Sequence, residues 1–137
     1  MLLIDDEPAV LETMKALLEP AFEVTICYSA REALQLLTHE SFAVICCDWQ
    51  MPGIDGLEFF RQLARQPKRH ASGRILITAH ADSLFKKVGW AERKMLGFLR
   101  KPCRPADLIE RVTHFAHVAA MKQSSQELSA AVLRATR

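Results

Sequence analysis

No stretch of this 137-residue chain is apolar for the ~20 residues that a membrane-spanning helix requires. The start, Met1-Leu-Leu-Ile-Asp5, turns acidic too soon for a secretory signal. Neither sign of charge dominates. Eighteen Lys and Arg against 16 Asp and Glu leave a net charge of +2 with no block of like charge, which argues against a direct nucleic-acid surface. The short basic pairs Lys86-Lys87 and Arg93-Lys94 read as solvated helix faces. The four cysteines, Cys27, Cys46, Cys47 and Cys103, form no C-x-x-C. They read as buried thiols packing like small hydrophobes in a reducing, cytoplasmic compartment. Glycine is scarce as well, and none follows the first apolar run. A nucleotide-binding α/β domain would need a Gly- or Ser/Thr-rich loop there; Asp5-Asp6-Glu7-Pro8 would repel a bare phosphate instead. Repeats, low-complexity segments and a second domain are also missing.

What is present is organised around Ala43-Val-Ile-Cys-Cys-Asp-Trp-Gln-Met-Pro-Gly-Ile-Asp-Gly56. An apolar run without alternation suits a strand buried on both faces, as in a parallel sheet between helices. Asp48 then stands at the carboxyl end of a central strand, where open α/β sheets place their ligands. Cys46 and Cys47 point to opposite faces of that strand.

The rest of the chain repeats the alternation. Leu2-Leu-Ile4 runs into the acidic cluster, and Pro8 opens a helix carrying Val10, Leu11, Met14, Leu17 and Leu18 at helical spacing, ending near Pro20. Residues 22–28 alternate as a half-exposed strand. Ser29-x-x-Glu32 and Asp55-x-x-Glu58 are capping boxes for the second and third helices. The third helix closes at Pro67, and a basic loop from Lys68 leads to the strand at 74–78, which ends in Thr78. A fourth helix, capped by Asp82 or Ser83, is expected through Leu84, Phe85, Val88 and Ala91 despite Gly89. A short strand over 95–99 runs into Lys101-Pro102, and Pro105 opens a fifth helix facing inward through Leu108, Ile109, Val112, Phe115, Ala116 and Ala119. Five β-α units mean a parallel sheet with right-handed crossovers and helices on both faces.

Every strand but the second ends in a polar residue, so Asp5, Asp6, Asp48, Thr78 and Lys101 converge on one sheet edge. Three adjacent carboxylates raise each other's pKa unless a cation joins them. Lys101 is one such cation; Mg²⁺, which prefers hard oxygen ligands, is a better one. With a metal, a hydroxyl and an ammonium in place, phosphoryl transfer needs little beyond positioning and charge. Asp48 can then act as the nucleophile.

These features resemble the receiver domain of a two-component response regulator. The resemblance rests on Ile-Asp-Asp-Glu-Pro at 4–8, Asp48-x-x-Met-Pro-Gly-x-Asp-Gly56, Thr78-Ala79 and Phe98-Leu-x-Lys-Pro102. It implies a flavodoxin-like doubly wound (βα)5 fold with strand order 2-1-3-4-5. Asp48 would take a phosphoryl group from the phosphohistidine of a sensor histidine kinase or phosphotransfer protein. Asp6, Asp48 and the backbone carbonyl of Gln50 would ligate Mg²⁺ (or Mn²⁺), with Asp5 acting through water. Thr78 and Lys101 would bind the phosphoryl group, Phe98 would be the aromatic switch residue, and the Lys101–Pro102 bond would be cis. The switching face would comprise the fourth helix, fifth strand and fifth helix. The domain would be no enzyme beyond catalysing its own phosphorylation and dephosphorylation. Gln50 and His80 depart from the commonest family pattern beside the path of an attacking water, which implies a long-lived phosphoryl group.

Two rival readings use the same features. A dehalogenase-like phosphatase also has a strand-end Asp nucleophile, but needs a second Asp two residues on, where this chain has Gln50. A degenerate receiver would bind partners without phosphate; here all five edge positions are filled. The receiver is expected over residues 1–120. Residues 121–137, with Leu128, Val132 and Leu133 as a thin apolar stripe, are expected to form a helical extension or the start of a linker to an output domain. The fourth-helix face or this extension would serve a homodimer.

Overall fold

The computed structural model describes residues 1–66 and 72–136. The helix stop expected at Pro67 and most of the loop after it lie outside the described residues. Five strands, β1 (Leu2–Ile4), β2 (Thr25–Cys27), β3 (Val44–Asp48), β4 (Gly73–Thr78) and β5 (Gly97–Arg100), form one sheet in the order β2-β1-β3-β4-β5. Every pairing is parallel. The helices are α1 (Pro8–Leu18), α2 (Ala30–Leu36), α3 (Gly56–Ala64), α4 (Ala81–Phe85), α5 (Trp90–Met95) and α6 (Pro105–Ala135).

The register sets the functional edge. Ile4 lies opposite Cys27 and Cys47, Asp48 opposite Ile77, and Thr78 opposite Arg100, so the carboxyl ends of the strands stay level. Val44 to Cys47 are buried, as a central strand covered on both faces requires. Cys47 joins the apolar cluster holding Phe59, Phe60 and Leu84, while Cys46 joins the opposite one with Leu11, Leu108 and Val112. All four thiols are free. Burial raises the pKa of both Cys27 and Cys46 to about 12, so they pack as neutral groups.

Local chemistry explains most helix starts. Ser29 accepts the Glu32 N–H at 3.1 Å, although the returning Glu32 carboxylate accepts from Tyr28 rather than from the cap itself. Asp55 accepts the Glu58 N–H at 2.9 Å. In the turn between, Gly53 has φ +77°, a left-handed conformation that favours glycine. Phe115 of α6 lies over two glycines, Gly73 and Gly97; a Cβ at Gly73 would stand 2.7 Å from that of Phe115.

Three expectations need correction. The fourth helix is two short ones, with His80 rather than Asp82 or Ser83 at the first N-cap position. Gly89 is extended between them, a conformation favoured over a costly helix-interior glycine. Arg61 of α3 holds the break by donating to the Lys87 carbonyl at 3.0 Å and pairing with Glu92 at 2.7 and 2.9 Å. Glu92 in turn accepts the Gly89 N–H at 2.9 Å. The second strand is shorter than the alternating run, because only Thr25, Ile26 and Cys27 have β1 partners. The last helix, now the sixth, leaves Ile109 at 36% exposure, on the rim of the face that Leu108 and Val112 bury.

That helix continues unbroken to Ala135, and beyond Ala119 its described residues are exposed apart from the partly covered Ala130. Among the described residues no helix is long and apolar enough to cross a membrane.

Gly56 opens α3 directly over the end of β3, and its N–H donates to the Trp49 carbonyl at 2.8 Å. A Cβ there would strike the Asp48 carbonyl oxygen and approach Leu76 to 2.8 Å. Because a backbone atom cannot swing away, Gly56→Ala should destabilise the fold by about 1–3 kcal/mol, the usual cost of overpacking. Urea unfolding with the slope unchanged and the midpoint lowered would show it; an unchanged midpoint would refute the close approach.

Candidate functional site

Where β1 and β3 end, the chain leaves the sheet with its carboxylates side by side. Asp5 is 3% exposed, and its Oδ1 accepts the Glu7 N–H at 3.0 Å, which fixes the side chain across the start of α1. Asp48 is partly buried, and Asp6 is exposed. One ligand oxygen from each of the three lies within 4.8 Å of the others.

Lys101 enters from the end of β5. Its N–H donates to the Thr78 carbonyl at 2.8 Å, extending the β4–β5 ladder, and the peptide bond to Pro102 is cis. The ammonium lies 3.1 Å from Asp5 Oδ2 and 2.9 Å from Asp48 Oδ1. Thr78 is buried, with its hydroxyl oxygen accepting the His80 N–H at 2.9 Å. Of the residues singled out in the sequence, these five meet at one edge. Gln50 is exposed in the turn after β3. Phe98 stands further along β5, half-buried, with its ring edge-on to Phe85 at 5.1 Å.

The electrostatics follow from burial and neighbours. Removal from water raises the Asp48 pKa; the hydrogen bond and charge of Lys101 oppose this, while Asp5 and Asp6 add to it. Burial works against the Lys101 charge, but its hydrogen bonds and ion pairs with Asp48 and then Asp5 outweigh it and raise its pKa. The edge therefore carries more negative charge than one ammonium neutralises.

The donor set fits Mg²⁺. All three side chains offer hard carboxylate oxygens of the kind Mg²⁺ prefers, close enough together for one ion to engage more than one of them. Trp49 is buried beside Asp48, with Lys87 5.5 Å from its ring centroid and its indole N–H without a partner among the described residues. Nothing in the local pattern announces that contact, because Lys87 arrives from beyond α4. A groove of about 760 Å³ opens beside the carboxylates rather than over them, sharing Thr78 and extending past Phe98 to α6.

A carboxyl whose folded pKa is raised contributes stability that is full below its unfolded pKa and lost as pH rises through the folded one. Asp48 therefore costs stability at neutral pH. In metal-free buffer Asp48→Asn should raise the thermal midpoint at pH 7, and the gain should shrink towards about pH 4, the ordinary aspartate range. Mg²⁺ should narrow the gap by stabilising the unsubstituted chain. A variant less stable at pH 7 would show that the Lys101 pair outweighs the crowding.

Residues 1–113 match the response regulator receiver domain family. The chain is 32% identical over 112 residues to the hydrogenase transcriptional regulatory protein HoxA of Cupriavidus necator, a match covering 82% of this chain and 23% of that protein. Its identity to response regulator Rre1 of Synechocystis is 32% over 110 residues, covering 79% and 47% respectively. A response regulator receiver domain protein from Clostridium thermocellum superposes with a TM-score of 0.74 at 26% identity, over 88% of this chain and 95% of that one. The chain thus spans less than half the length of either curated relative. With the sheet order 2-1-3-4-5 and the acidic edge in place, the chain belongs to the response regulator receiver domain family of two-component signalling.

Proposed function

We propose that Asp48 is the phosphoacceptor of this receiver and is charged from the phosphohistidine of a sensor histidine kinase or phosphotransfer protein. The observation that carries the reading is the single ammonium of Lys101 shared between Asp5 and Asp48, with Asp6 in reach of both. An Asp48 carboxylate oxygen attacks phosphorus, the P–N bond breaks, and the bonding pair leaves with the imidazole, which takes up a proton. Three oxygens of the transferred group then need donors. Lys101, already 2.9 Å from Asp48, supplies one, and the Thr78 hydroxyl, which can donate its own hydrogen while its oxygen accepts from His80, supplies another.

Asp6, Asp48 and the Gln50 backbone carbonyl are the residues to hold Mg²⁺ directly, with Asp5 joined through water; Mn²⁺ has the same preference for oxygen. When bound there, the metal would supply positive charge to offset that gathering on the phosphoryl oxygens. Asp5 and Lys101 form the fixed part of the site, since both are tied into the backbone frame by Glu7 and Thr78. Phe98 is the residue that follows Thr78 towards the phosphoryl group, altering the face made by α4, β5 and α6. Beyond this self-modification the domain has no reaction of its own.

The receiver takes residues 1–120, and residues 121–137 are a helical extension or the start of a linker to an output domain. The length of the relatives supports this, as does the helix that carries Met121, Leu128, Val132 and Leu133 out at 54–67% exposure. The same stripe, or the α4–β5–α6 face, suits a homodimer.

Acetyl phosphate or phosphoramidate with Mg²⁺ should add one base-labile phosphoryl group at Asp48, and Asp48→Asn should abolish it, because an amide is not a nucleophile. Equal labelling of that variant by mass spectrometry would sink the assignment. Thr78→Ala should still be labelled while the response of Phe98 in NMR spectra is blunted, the coupling being worth ~1–3 kcal/mol. Removing residues 122–137 should leave labelling intact and weaken self-association; loss of the folded domain would rule out an extension independent of the core.

A further inference from the structure

The segment between Thr78 and Phe98 carries contacts that the phosphoacceptor role does not use. Phe85, the last residue of α4, meets Phe98 edge to face, with centroids 5.1 Å apart and planes at 72°. Arg93 reaches back from α5 across the Gly89 break. Its Nη2 donates to the Phe85 carbonyl at 2.6 Å, and its guanidinium carbon stands 5.7 Å from the Phe85 ring centroid. One arginine thus holds both the backbone and the ring of the residue against which Phe98 rests.

That arginine is itself anchored. Its neighbour Glu92 is gripped by Arg61 at 2.7 and 2.9 Å, and Arg61 belongs to α3, whose apolar face is packed into the core. The chain α3–Arg61–Glu92–Arg93–Phe85–Phe98 is continuous: Glu92 and Arg93 are joined by the backbone, and the other links from Arg61 to Phe98 are side-chain contacts. Thr78, Ala81, Phe85 and Phe98 meanwhile all line the 760 Å³ groove, so open space adjoins both ends of the proposed movement. If Phe98 turns towards Thr78 it gives up the Phe85 edge, and Phe85 is not free to follow.

We propose that Arg93 and Phe85 form a latch that holds Phe98 in its half-exposed position and sets the threshold for switching. The inference rests on the reading of Phe98 as the residue that follows Thr78. By linkage, whatever opposes the inward state weakens every ligand that prefers it. Arg93 and Phe85 are therefore positioning residues: neither reaches the carboxylates, and both act through Phe98.

Arg93 is exposed, so Arg93→Ala removes the cap and the ring contact without opening a core cavity. Phe85→Leu, which keeps an apolar side chain and the carbonyl that Arg93 caps, removes both the aromatic edge and the ring that the guanidinium covers. Two measurements on the full chain separate the latch from the reading beneath it. In the unliganded protein, NMR contacts between the Phe85 and Phe98 rings should weaken in Arg93→Ala, and contacts from Phe98 to the Thr78 methyl should appear. Titration with Mg²⁺ and beryllofluoride, a phosphoryl mimic, should show affinity rising about fivefold in Arg93→Ala, the low end of ordinary coupling. Phe85→Leu should move affinity in the same direction, and in a Phe98→Ala background the Arg93 effect should vanish. Unchanged ring contacts with unchanged affinity, or an Arg93 effect that persists without Phe98, would overturn the latch. If the unsubstituted chain fails to bind beryllofluoride, the phosphoacceptor reading falls, and the ring contacts of the unliganded variants still decide whether the latch exists.

Discussion

Three carboxylates at one sheet edge repel each other, and burying two of them makes the repulsion costly. The ammonium of Lys101, at 3.1 and 2.9 Å from Asp5 and Asp48, is what makes the arrangement tolerable. That ammonium comes from the far end of the chain, and it reaches the site only because β5 ends level with β4, and β4 with β3. A slip of one residue in a parallel strand would turn Lys101 to the other face of the sheet. The register of the whole sheet is thus expressed in one ion pair. The pair also leaves the edge under-neutralised, since burial still holds the Asp48 pKa above its ordinary value. Charge crowding of this kind is poor design for stability and good design for holding a cation, which relieves part of it and which an anionic phosphoryl group would need beside it.

The sheet and its edge were legible because their determinants are local and periodic. An unbroken apolar run ending in Asp48 can hardly be other than a central strand, and a polar residue at the end of each neighbouring strand follows the same rule. The opposite placement of Cys46 and Cys47 follows from the two-residue period alone. Lys101 was one of the two cations foreseen for Asp5 and Asp48, since it follows β5 directly, whereas Arg100, the last residue of that strand, lies 3.6 Å from Asp82 instead. The broken fourth helix was not. Gly89 weakens a helix without ending it, and what makes the break definite is Arg61, a residue of another helix that satisfies the Lys87 carbonyl and grips Glu92. No window of sequence contains both partners. Phe115 over Gly73 and Gly97 escaped for the same reason: three residues from three elements form a bare patch and the ring that fills it.

On the α3–α4–α5 side the contacts that sequence cannot show are polar or cation–aromatic, unlike the apolar packing of Phe115 on the sheet. Arg61–Glu92, Arg93–Phe85 and Lys87–Trp49 each have at least one partly solvated member. Such contacts contribute modestly, typically under about 1 kcal/mol each when exposed. A segment held by several weak links can move without disturbing the core. The strong links, Lys101 to its carboxylates and the Gly56 turn to β3, lie on the other side of Thr78, where a fixed frame is needed.

The long last helix joins these two regimes. Isolated helices of about 15 residues are marginal in water because nucleation is unfavourable. The exposed part of α6 escapes that cost because Leu108, Val112 and Ala119 nucleate the helix on the sheet, and the remainder only has to propagate. At about 1.5 Å per residue the 31 residues extend roughly 46 Å. Its first turns line the groove that Thr78 and Phe98 also line. A change in how those turns pack is carried along a continuous hydrogen-bonded rod, and its far end moves by more than its base for any given tilt.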